Sequence, residues 1–377
     1  MSRIYLPHAD QFDLTNENLA KIANALAASI DLSTWAGIQK AVRVGVAPDL
    51  IPVGTQLKVT HSVYGDMLFD VVAHNHFKSA HDKRAHTMTL MSHDIIAAVQ
   101  FDAREAFYYA DDELPAGTYN FTLSKSESSW GAGTYMFNLQ ETLPKGGQLC
   151  IAGQTTDALT SCKVTAFINQ NATSEAMVSD ITLGNEGTSL GTFGVELNHP
   201  RRVAYGSNNY KESAIRQFLN SSSAAGSVWK PQTKFDRPPS WATSLAGFAG
   251  GFDADFLSVV GKVIVPCSAN STYESLDSTT AIGEKYTVAD KFYLVSQMEV
   301  FGNNTDSTAD GSAWFPYYES ADAIDRIKYR DGSAVSWWTR TPNALYTNCA
   351  QCVQSAGARF HISVNLDQGC SPAFTIV

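Results

Sequence analysis

Apolar residues recur at two different periods along the first hundred residues, and each period predicts a different element. Helical spacing behind a polar capping residue predicts one helix over residues 16–30 and a second over residues 33–45. From residue 51 onwards the period changes to two, which predicts strands within residues 56–64, 67–77 and 86–96. The chain therefore begins with helices and continues as a strand meander.

The middle of the chain has short apolar segments separated by Gly, Ser and Pro. Residues 101–110 predict a short helix, and strands are predicted within residues 119–123, 134–139, 148–153 and 163–168. Several short strands at this spacing are typical of a small β-sandwich.

The last part begins with an amphipathic helix predicted over residues 208–221, followed by long irregular connections and strand-like segments. Changes in pattern near residues 112 and 200 predict three consecutive regions, which are residues 1–112, 113–200 and 201–377. The first mixes helices and strands, the second is the sandwich, and the third is loop-rich. The fold class is thus α+β and multidomain.

Charge and composition narrow the classes of partner. Among 377 residues there are 37 acidic and 27 basic side chains, so the net charge is −10. A negative protein is repelled by phosphate backbones and anionic lipid, so neither nucleic acid nor membrane insertion is expected. The N-terminal residues contain no secretory signal pattern, and the six scattered cysteines predict reduced thiols rather than a disulfide scaffold.

Histidines form one cluster in the sequence: His74, His76, His81, His86 and His93. His74 and His76, two positions apart on a strand, would face the same side, as a pair of metal ligands would need. The nearby carboxylates do not have the spacing of a known metal motif, however. A structural or surface role is therefore the favoured interpretation, with metal binding as the alternative.

Cys349 and Cys352 form an isolated C-x-x-C motif. A zinc site needs a second pair of ligands, and a redox site needs a thioredoxin-like context, so one buried core thiol and one incidental loop thiol are favoured. The sequence has no G-x-S-x-G, P-loop or G-x-G-x-x-G motif. We therefore expect no catalytic residue, no metal and no cofactor.

The C-terminal region carries a resemblance. Its matching frame consists of an SWWTRTP segment and a GCSPAF segment, with Trp337, Trp338, Arg340, Pro342, Gly369, Pro372 and Phe374 as the shared positions. Residues 205–377, most strongly those after Asp322, resemble the variable proteins of diversity-generating retroelements in phages and bacteria. The resemblance implies a C-type lectin fold, in the branch shared with formylglycine-generating enzymes.

The resemblance also implies where ligand would bind. Residues 344–349 and 358–367 would be diversified, and every residue type in them is one that adenine-directed mutagenesis of AAY codons can reach. The implied ligand-binding positions are Ala344, Leu345, Tyr346, Asn348, Cys349, Arg359, Phe360, His361, Ser363, Asn365, Leu366 and Asp367. Trp337 and Phe374 would anchor the core beneath this exposed patch.

These implications predict a phage or prophage receptor-binding protein, made in the bacterial cytoplasm and located in the virion, at the phage tail. Its partners would be a bacterial surface ligand, either protein or glycan, and other virion proteins. The N-terminal region would attach the protein and form a homo-oligomer, most plausibly a trimer. The alternatives are a formylglycine-generating-like oxidase using Cys349 and Cys352, and a purely structural tail or capsid-decoration protein.

Overall fold

The structure is a computed structural model, and its described residues fall into several ranges. They are residues 21, 29–83, 85–103, 105–123, 132–152, 163–168, 177–193, 208–232, 234–269, 284–305, 307, 309–344, 346 and 348–377. The predicted helix over residues 16–30 lies almost entirely outside them.

Strands dominate the described chain, and the helices are short. The helices are α1 (Trp35–Arg43), α2 (Ala47–Leu50), α3 (Ala214–Asn220), α4 (Ala254–Val259) and α5 (Gln297–Phe301), with 3-10 turns at Phe248–Gly251, Pro316–Tyr318 and Ala323–Arg326. The first strands are β1 (Gln56–His61), β2 (Gly65–His74), β3 (Lys78–Ser79), β4 (Met88–Ser92) and β5 (Ala97–Gln100). The next eight are β6 (Tyr108–Tyr109), β7 (Gly117–Leu123), β8 (Gly133–Leu139), β9 (Gln148–Ala152), β10 (Lys163–Phe167), β11 (Met177–Asp180), β12 (Thr182–Leu183) and β13 (Thr188–Phe193). The last ten are β14 (Val263–Ala269), β15 (Glu284–Asp290), β16 (Phe292–Leu294), β17 (Lys328–Arg330), β18 (Ser333–Val335), β19 (Trp337–Pro342), β20 (Cys349–Val353), β21 (Arg359–Ser363), β22 (Asp367–Cys370) and β23 (Pro372–Ile376).

The elements confirm the coarse prediction of a mostly β, α+β protein with several sheets. α1 begins at its cap Thr34, whose side chain accepts from the Gly37 amide, and α3 begins at Ser213 in the same way. The β1–β2–β4 meander and the C-terminal strands lie where the alternating pattern predicts them. Within the described ranges, no helix combines the length and apolar character needed to cross a membrane.

Two five-stranded sheets build the larger core, and each joins the two ends of the chain. One has the order β1-β2-β4-β23-β16, and the other has the order β21-β20-β19-β22-β5. Leu90 of β4 pairs with Phe374 of β23, and Ala98 of β5 pairs with Gly369 of β22. The described part of residues 29–103 therefore shares one hydrophobic core with residues 208–377. This packing differs from the expected separation of residues 1–112 and 201–377 into consecutive regions.

A second, smaller core lies in the chain between these two halves. Two four-stranded sheets, β11-β10-β9-β6 and β12-β8-β7-β13, enclose aromatic side chains that include Phe107, Phe121 and Phe193. Phe107 lies with its ring centroid 5.1 Å from Phe121 and 5.5 Å from Phe193. The sandwich is thus an insertion between the segments that form the larger core.

The helix predicted over residues 101–110 is wrong. Phe101 is buried in the larger core, with its ring centroid 5.6 Å from that of Trp338, whereas Phe107 is buried in the sandwich. The segment passes from one core to the other, and Tyr108 and Tyr109 form β6. A helix would have placed the apolar side chains of this segment on one face, against a single core.

One buried ion network ties the larger core together. Arg340 of β19 is fully buried and forms two hydrogen bonds to the Glu299 carboxylate, at 2.7 and 2.6 Å, and its guanidinium lies 3.4 Å from Asp310. Its other donors reach Ser312 Oγ at 2.8 Å and the carbonyl oxygens of Pro266 and Leu294 at 2.8 and 2.9 Å. Burial opposes ionisation of Glu299, but the charge of Arg340 outweighs it and lowers the pKa of Glu299 to about 2.

Removing one member of this network should be costly. Glu299→Ala leaves the Arg340 charge buried with only the more distant Asp310 as counter-ion, so we expect the free energy of unfolding to fall by about 3–5 kcal/mol. Urea denaturation measures this loss. Lys58→Ala, which removes an ion pair that is exposed on both sides, is the control and should change little. Similar losses in the two variants would contradict the central role of Arg340.

His61 locks the β1–β2 hairpin to the 3-10 turn that begins at Phe248. The His61 Nε2–H donates to the Phe248 carbonyl oxygen at 2.9 Å, while Nδ1 accepts from the amides of Val63 and Tyr64 at 3.1 and 3.2 Å. This pattern requires the neutral ring, because a protonated imidazole has no acceptor. Burial lowers the pKa of His61, although the bond to Phe248 acts in the opposite direction. Gly251 is required here, since a Cβ at this position would lie 2.0 Å from the His61 ring.

A pH dependence of stability follows. Because the folded-state pKa of His61 is lowered, neutral His61 contributes its full stabilisation of the fold above the ordinary pKa of 6.5. This stabilisation is lost as pH falls below 6.5, because there only the unfolded chain takes up the proton. We expect the melting temperature to fall between about pH 7 and pH 5, and His61→Gln to flatten that slope. An unchanged slope in His61→Gln would contradict this assignment.

Candidate ligand-binding surface

Among the described residues expected to bind ligand, Arg359, Phe360, His361 and Ser363 lie on β21, at one edge of the second sheet, whereas Asp367 begins β22 on the other side of β19. β21 is an edge strand, and its register on β20 runs from the pair Cys349 and Ser363 to the pair Val353 and Arg359. The turn between the two strands packs on the 3-10 helix Ala323–Arg326. Gly357 has φ 78° in this turn, and a Cβ there would lie 1.7 Å from the Ala323 carbonyl oxygen, so only glycine fits.

The predicted frame beneath this edge is confirmed as core. Trp337, Trp338 and Phe374 are fully buried. Trp338 Nε1 donates to the Val99 carbonyl oxygen at 2.8 Å, which satisfies the indole N–H inside the core. Phe374 lies with its ring centroid 5.0 Å from that of Phe69, on the neighbouring N-terminal strands. Both halves of the chain therefore support the edge that carries the candidate residues.

The segment before β20 is held by a buried amide. Asn208 is fully buried, and its Nδ2 donates to the carbonyl oxygens of Asn343, Tyr346 and Cys349 at 3.3, 3.0 and 2.9 Å. The Tyr346 amide in turn donates to Asn343 Oδ1 at 2.9 Å. These bonds fix the backbone of this segment, so the Tyr346 side chain projects from a rigid support.

The candidate positions divide into three groups by exposure. Ala344, Asn348, Cys349 and Ser363 are buried, so the expectation of an exposed patch does not hold for these four. Tyr346, Arg359, His361 and Asn365 are partly buried, whereas Phe360, Leu366 and Asp367 are exposed, and Leu345 lies outside the described residues. Ala344 and Asn348 belong to the segment before β20 that Asn208 holds, Cys349 begins β20, whose five residues are all buried, and Ser363 pairs with Cys349 at the buried end of β21.

The rings of Tyr346, His361 and Phe360 contact one another in series, although Phe360 and His361 are adjacent on β21 and leave the strand on opposite faces; with Arg359 they are called the row here. The His361 ring lies 5.6 Å from that of Tyr346 and 5.6 Å from that of Phe360, with which it is nearly parallel. Phe360 is 44% exposed, which is unusual for a large apolar side chain next to other aromatic rings. The row offers flat apolar area bordered by polar ring atoms.

Arg359 extends this row on a platform that sequence reasoning missed. Its guanidinium stacks on the Phe301 ring at 4.6 Å and donates to Thr305 Oγ1 at 2.5 Å. Burial and the nearby positive charge of Arg326 lower the pKa of Arg359. Phe301 and Thr305 come from the end of α5 and the polar loop after it. No periodicity in the sequence links them to β21.

A series of side-chain hydrogen bonds holds the loop after α5 against β20. Gln297 Nε2 donates to Gln351 Oε1 at 3.2 Å, and Gln297 Oε1 accepts from the Thr305 amide at 3.2 Å and from Ser307 Oγ at 2.5 Å. Both glutamines are buried, so the bond between them is made away from water, whereas the bonds to Thr305 and Ser307 are partly buried. The loop after α5 is thereby fixed beside β21, and with it the platform under Arg359.

The two cysteines of the C-x-x-C motif do not face each other. Cys349 is paired with Ser363 and Cys352 with Phe360, and an odd separation on a regular strand places the two side chains on opposite faces of β20. Burial raises the pKa of the Cys352 thiol to about 12, so it stays protonated at neutral pH. Both thiols are buried, and the expected loop position for one of them is wrong.

The histidines of the N-terminal cluster point to different partners. β2 ends at His74, and Asn75 turns the chain with φ 56°, so His76 does not share the strand that the prediction assumed. His74 Nε2 lies 2.9 Å from the Ile51 carbonyl oxygen, and His76 Nε2 lies 3.5 Å from the Glu299 carboxylate. His93 lies 2.8 Å from Asp70. In the described ranges, no three His, Cys, Asp or Glu side chains are grouped so as to hold a metal ion.

Comparison with known protein families gives one result. A family profile, described as a domain of unknown function (DUF6273), matches residues 178–377, more than half of the chain. The chain belongs to the DUF6273 family. The DUF6273 match contains the frame, the candidate row and the polar loop after α5, but it does not contain β1–β5, which complete both large sheets. No curated protein and no solved structure matches the chain.

The division between frame and surface can be tested by stability. Trp337→Ala or Phe374→Ala empties a fully buried aromatic position and should lower the free energy of unfolding by about 3–5 kcal/mol. Phe360→Ala and Leu366→Ala remove side chains that are 44% exposed and should each change it by no more than about 0.5 kcal/mol. Chemical denaturation of the four variants measures this contrast. Equal losses would mean that the row is part of the core.

Proposed function

We propose that the protein is a phage or prophage receptor-binding protein, and that its C-terminal part is a variable domain with a C-type lectin fold. The observation that carries the proposal is the row, in which Tyr346 precedes β20 and His361, Phe360 and Arg359 lie on the edge strand β21. Its side chains are partly or largely accessible, whereas the frame is fully buried. The ligand would be a protein or glycan of the bacterial surface.

The composition of the row suits this function. Aromatic and arginine side chains contribute most of the energy in many interfaces, because they bring large contact areas with few rotatable bonds. The backbone below them is fixed by Asn208 and by the register of β21 on β20. A rigid support reduces the entropy that is lost when a ligand binds. Substitutions in the row could then change the ligand without changing the fold.

The oxidase alternative finds less support. A cysteine pair that reacts with a substrate needs two thiols on one side and an accessible thiolate. Cys349 and Cys352 lie on opposite faces of β20, and the pKa of Cys352 is raised to about 12. We therefore propose a binding function without a catalytic step. Cys349→Ser should leave ligand binding nearly unchanged, because this buried thiol cannot reach a ligand at the surface.

Attachment to the virion and a trimeric state remain part of the proposal. A single small patch binds weakly, and several copies in one particle would raise the apparent affinity. Because β1–β5 are built into the same core as the candidate row, a surface for attachment would be found on the sandwich or on the outer faces of the N-terminal elements. The structural tail or decoration protein differs from this proposal in having no ligand.

Binding to bacterial cells tests the proposal. The fluorescently labelled full chain should bind cells of the host strain saturably. The combined variant Tyr346→Ala, Arg359→Ala and Phe360→Ala removes the centre of the expected interface. It should therefore lower the affinity for these cells by at least about 100-fold. The matched control is Ile168→Ala with Leu183→Ala, which removes exposed apolar side chains from the sandwich.

The control should bind as the unmodified protein does. A decoration protein would show no saturable binding in any of the three forms. Unchanged binding by the combined variant would overturn the assignment of the row. A reverse transcriptase gene and a near-repeat of the C-terminal coding region in the flanking DNA would support the diversification mechanism.

A further inference from the structure

A cleft lies between the β1–β2 hairpin and the β17–β18 hairpin of the larger core. The cleft has a volume of about 500 Å³, within the roughly 300–1,000 Å³ of small-molecule sites. Aromatic, acidic and apolar side chains line it, including Tyr64, Asp66, Asp94, Tyr329, Arg330 and Asp331. It shares no residue with the row on β21.

The β17–β18 hairpin presents Tyr329 to this cleft. Asp331 and Gly332 have φ 51° and 76°, so both central residues of the turn are left-handed, as a tight two-residue hairpin requires. The Tyr329 carbonyl oxygen accepts from the Ile95 amide at 2.9 Å, which fixes the hairpin to the opposite wall. Tyr329 is nevertheless 46% exposed. Its backbone is therefore fixed, and its ring is open to a ligand.

Tyr64 is on the other hairpin and is held just as firmly. Its amide donates to His61 Nδ1, and the two rings lie with centroids 4.8 Å apart. Burial raises the pKa of Tyr64 to about 12, so its hydroxyl keeps the proton and can donate to a ligand. The cleft thus has one tyrosine ring on each hairpin.

The charges around the cleft are balanced. Lys58 lies 2.9 Å from Asp66, which also accepts from Thr60 Oγ1 at 2.7 Å, and Arg330 lies 3.7 Å from Asp331.

Asp94 interacts with the positive charge of Lys328, whose buried Nζ donates to the His93 carbonyl oxygen at 3.0 Å. The three carboxylates therefore offer hydrogen-bond acceptors, and Arg330 together with the neighbouring Lys58 and Lys328 offsets their charge. A cation or an anion would gain little from such a cleft, whereas hydroxyl groups would find acceptors and donors.

We propose that this cleft binds a neutral saccharide. The apolar face of a sugar ring would pack on Tyr329, and the ring hydroxyls would bond to the carboxylates, to Arg330 and to the Tyr64 hydroxyl. The balanced charge favours an uncharged polyhydroxylated ligand over an amine, which the same rings would otherwise suit through cation–π contact. The inference is independent of the receptor-binding proposal, because none of its residues belongs to the row.

A titration of the full chain with neutral disaccharides tests this inference. Saturation-transfer NMR with maltose, cellobiose, lactose and N,N′-diacetylchitobiose, each up to about 10 mM, would detect even a site with a Kd near 1 mM. We expect at least one of these sugars to bind. Tyr329→Ala should weaken that binding by about tenfold or more, whereas Tyr329→Phe, which keeps the ring, should weaken it by less than about threefold.

One further variant separates this site from the row: Tyr346→Ala should leave sugar binding unchanged. Tyr329→Ala should fold normally, because its side chain is exposed and its hairpin bonds are made by the backbone. No binding of any of the four sugars would overturn the inference. Binding unaffected by Tyr329→Ala, or stronger binding of choline than of any sugar, would overturn it as well.

Discussion

The buried charge of Arg340 is the constraint on which the larger core depends. A guanidinium removed from water must find a partner for each of its donors, and Arg340 finds them on α5, β14 and β16 and in the loop at Asp310 and Ser312. These elements cannot move apart without leaving the charge unpaired. Since β19 also carries Trp337 and Trp338, the ion network and the aromatic frame fix one strand from both sides. Glu299 in turn caps its own helix by accepting from the Ser296 amide, so a single carboxylate serves the helix start and the core.

The position of β19 determines the positions of the strands between it and the surface. β20 is aligned on β19, and β21 is aligned on β20 by five consecutive residue pairs, so β21 is two strands removed from the fixed centre. The turn at Gly357 and the platform of Phe301 under Arg359 then fix the outer strand from its far side. Exposure thus increases with distance from Arg340, while backbone order is retained. This combination of accessible side chains and a fixed backbone is what a binding surface needs.

Sequence pattern predicted the elements better than their arrangement. Period-two alternation indicates β1, β2 and β4, and helical spacing indicates the helices that the structure begins at Thr34 and Ser213, because these signals are local. The pairing of β4 with β23 is not local. Leu90 and Phe374 are each simply apolar residues on a strand, and nothing in their neighbourhoods indicates that they meet. For the same reason the pattern predicts a helix at residues 101–110, since it cannot show that Phe101 and Phe107 belong to different cores. The frame was predicted correctly from its bulky residues, whereas the platform of Phe301 and Thr305 was not.

The sandwich is inserted between segments that form one continuous core, so the chain carries two separate cores. The chain leaves the larger core after Phe101 and returns to it at Asn208, so the strands before and after the sandwich must already be neighbours for the core to close. Their pairing through β5 and β22 provides this closure. The returning segment also contacts the sandwich, because Arg237 stacks on Phe167 at 3.4 Å and donates to Gln148 Oε1 at 2.6 Å. Asn208, the first described residue after the sandwich, then binds the segment that carries Tyr346. The point at which the chain re-enters the core is therefore also the support of the candidate surface, and the N-terminal strands are needed for the geometry of residues that lie two hundred and fifty positions later in the sequence.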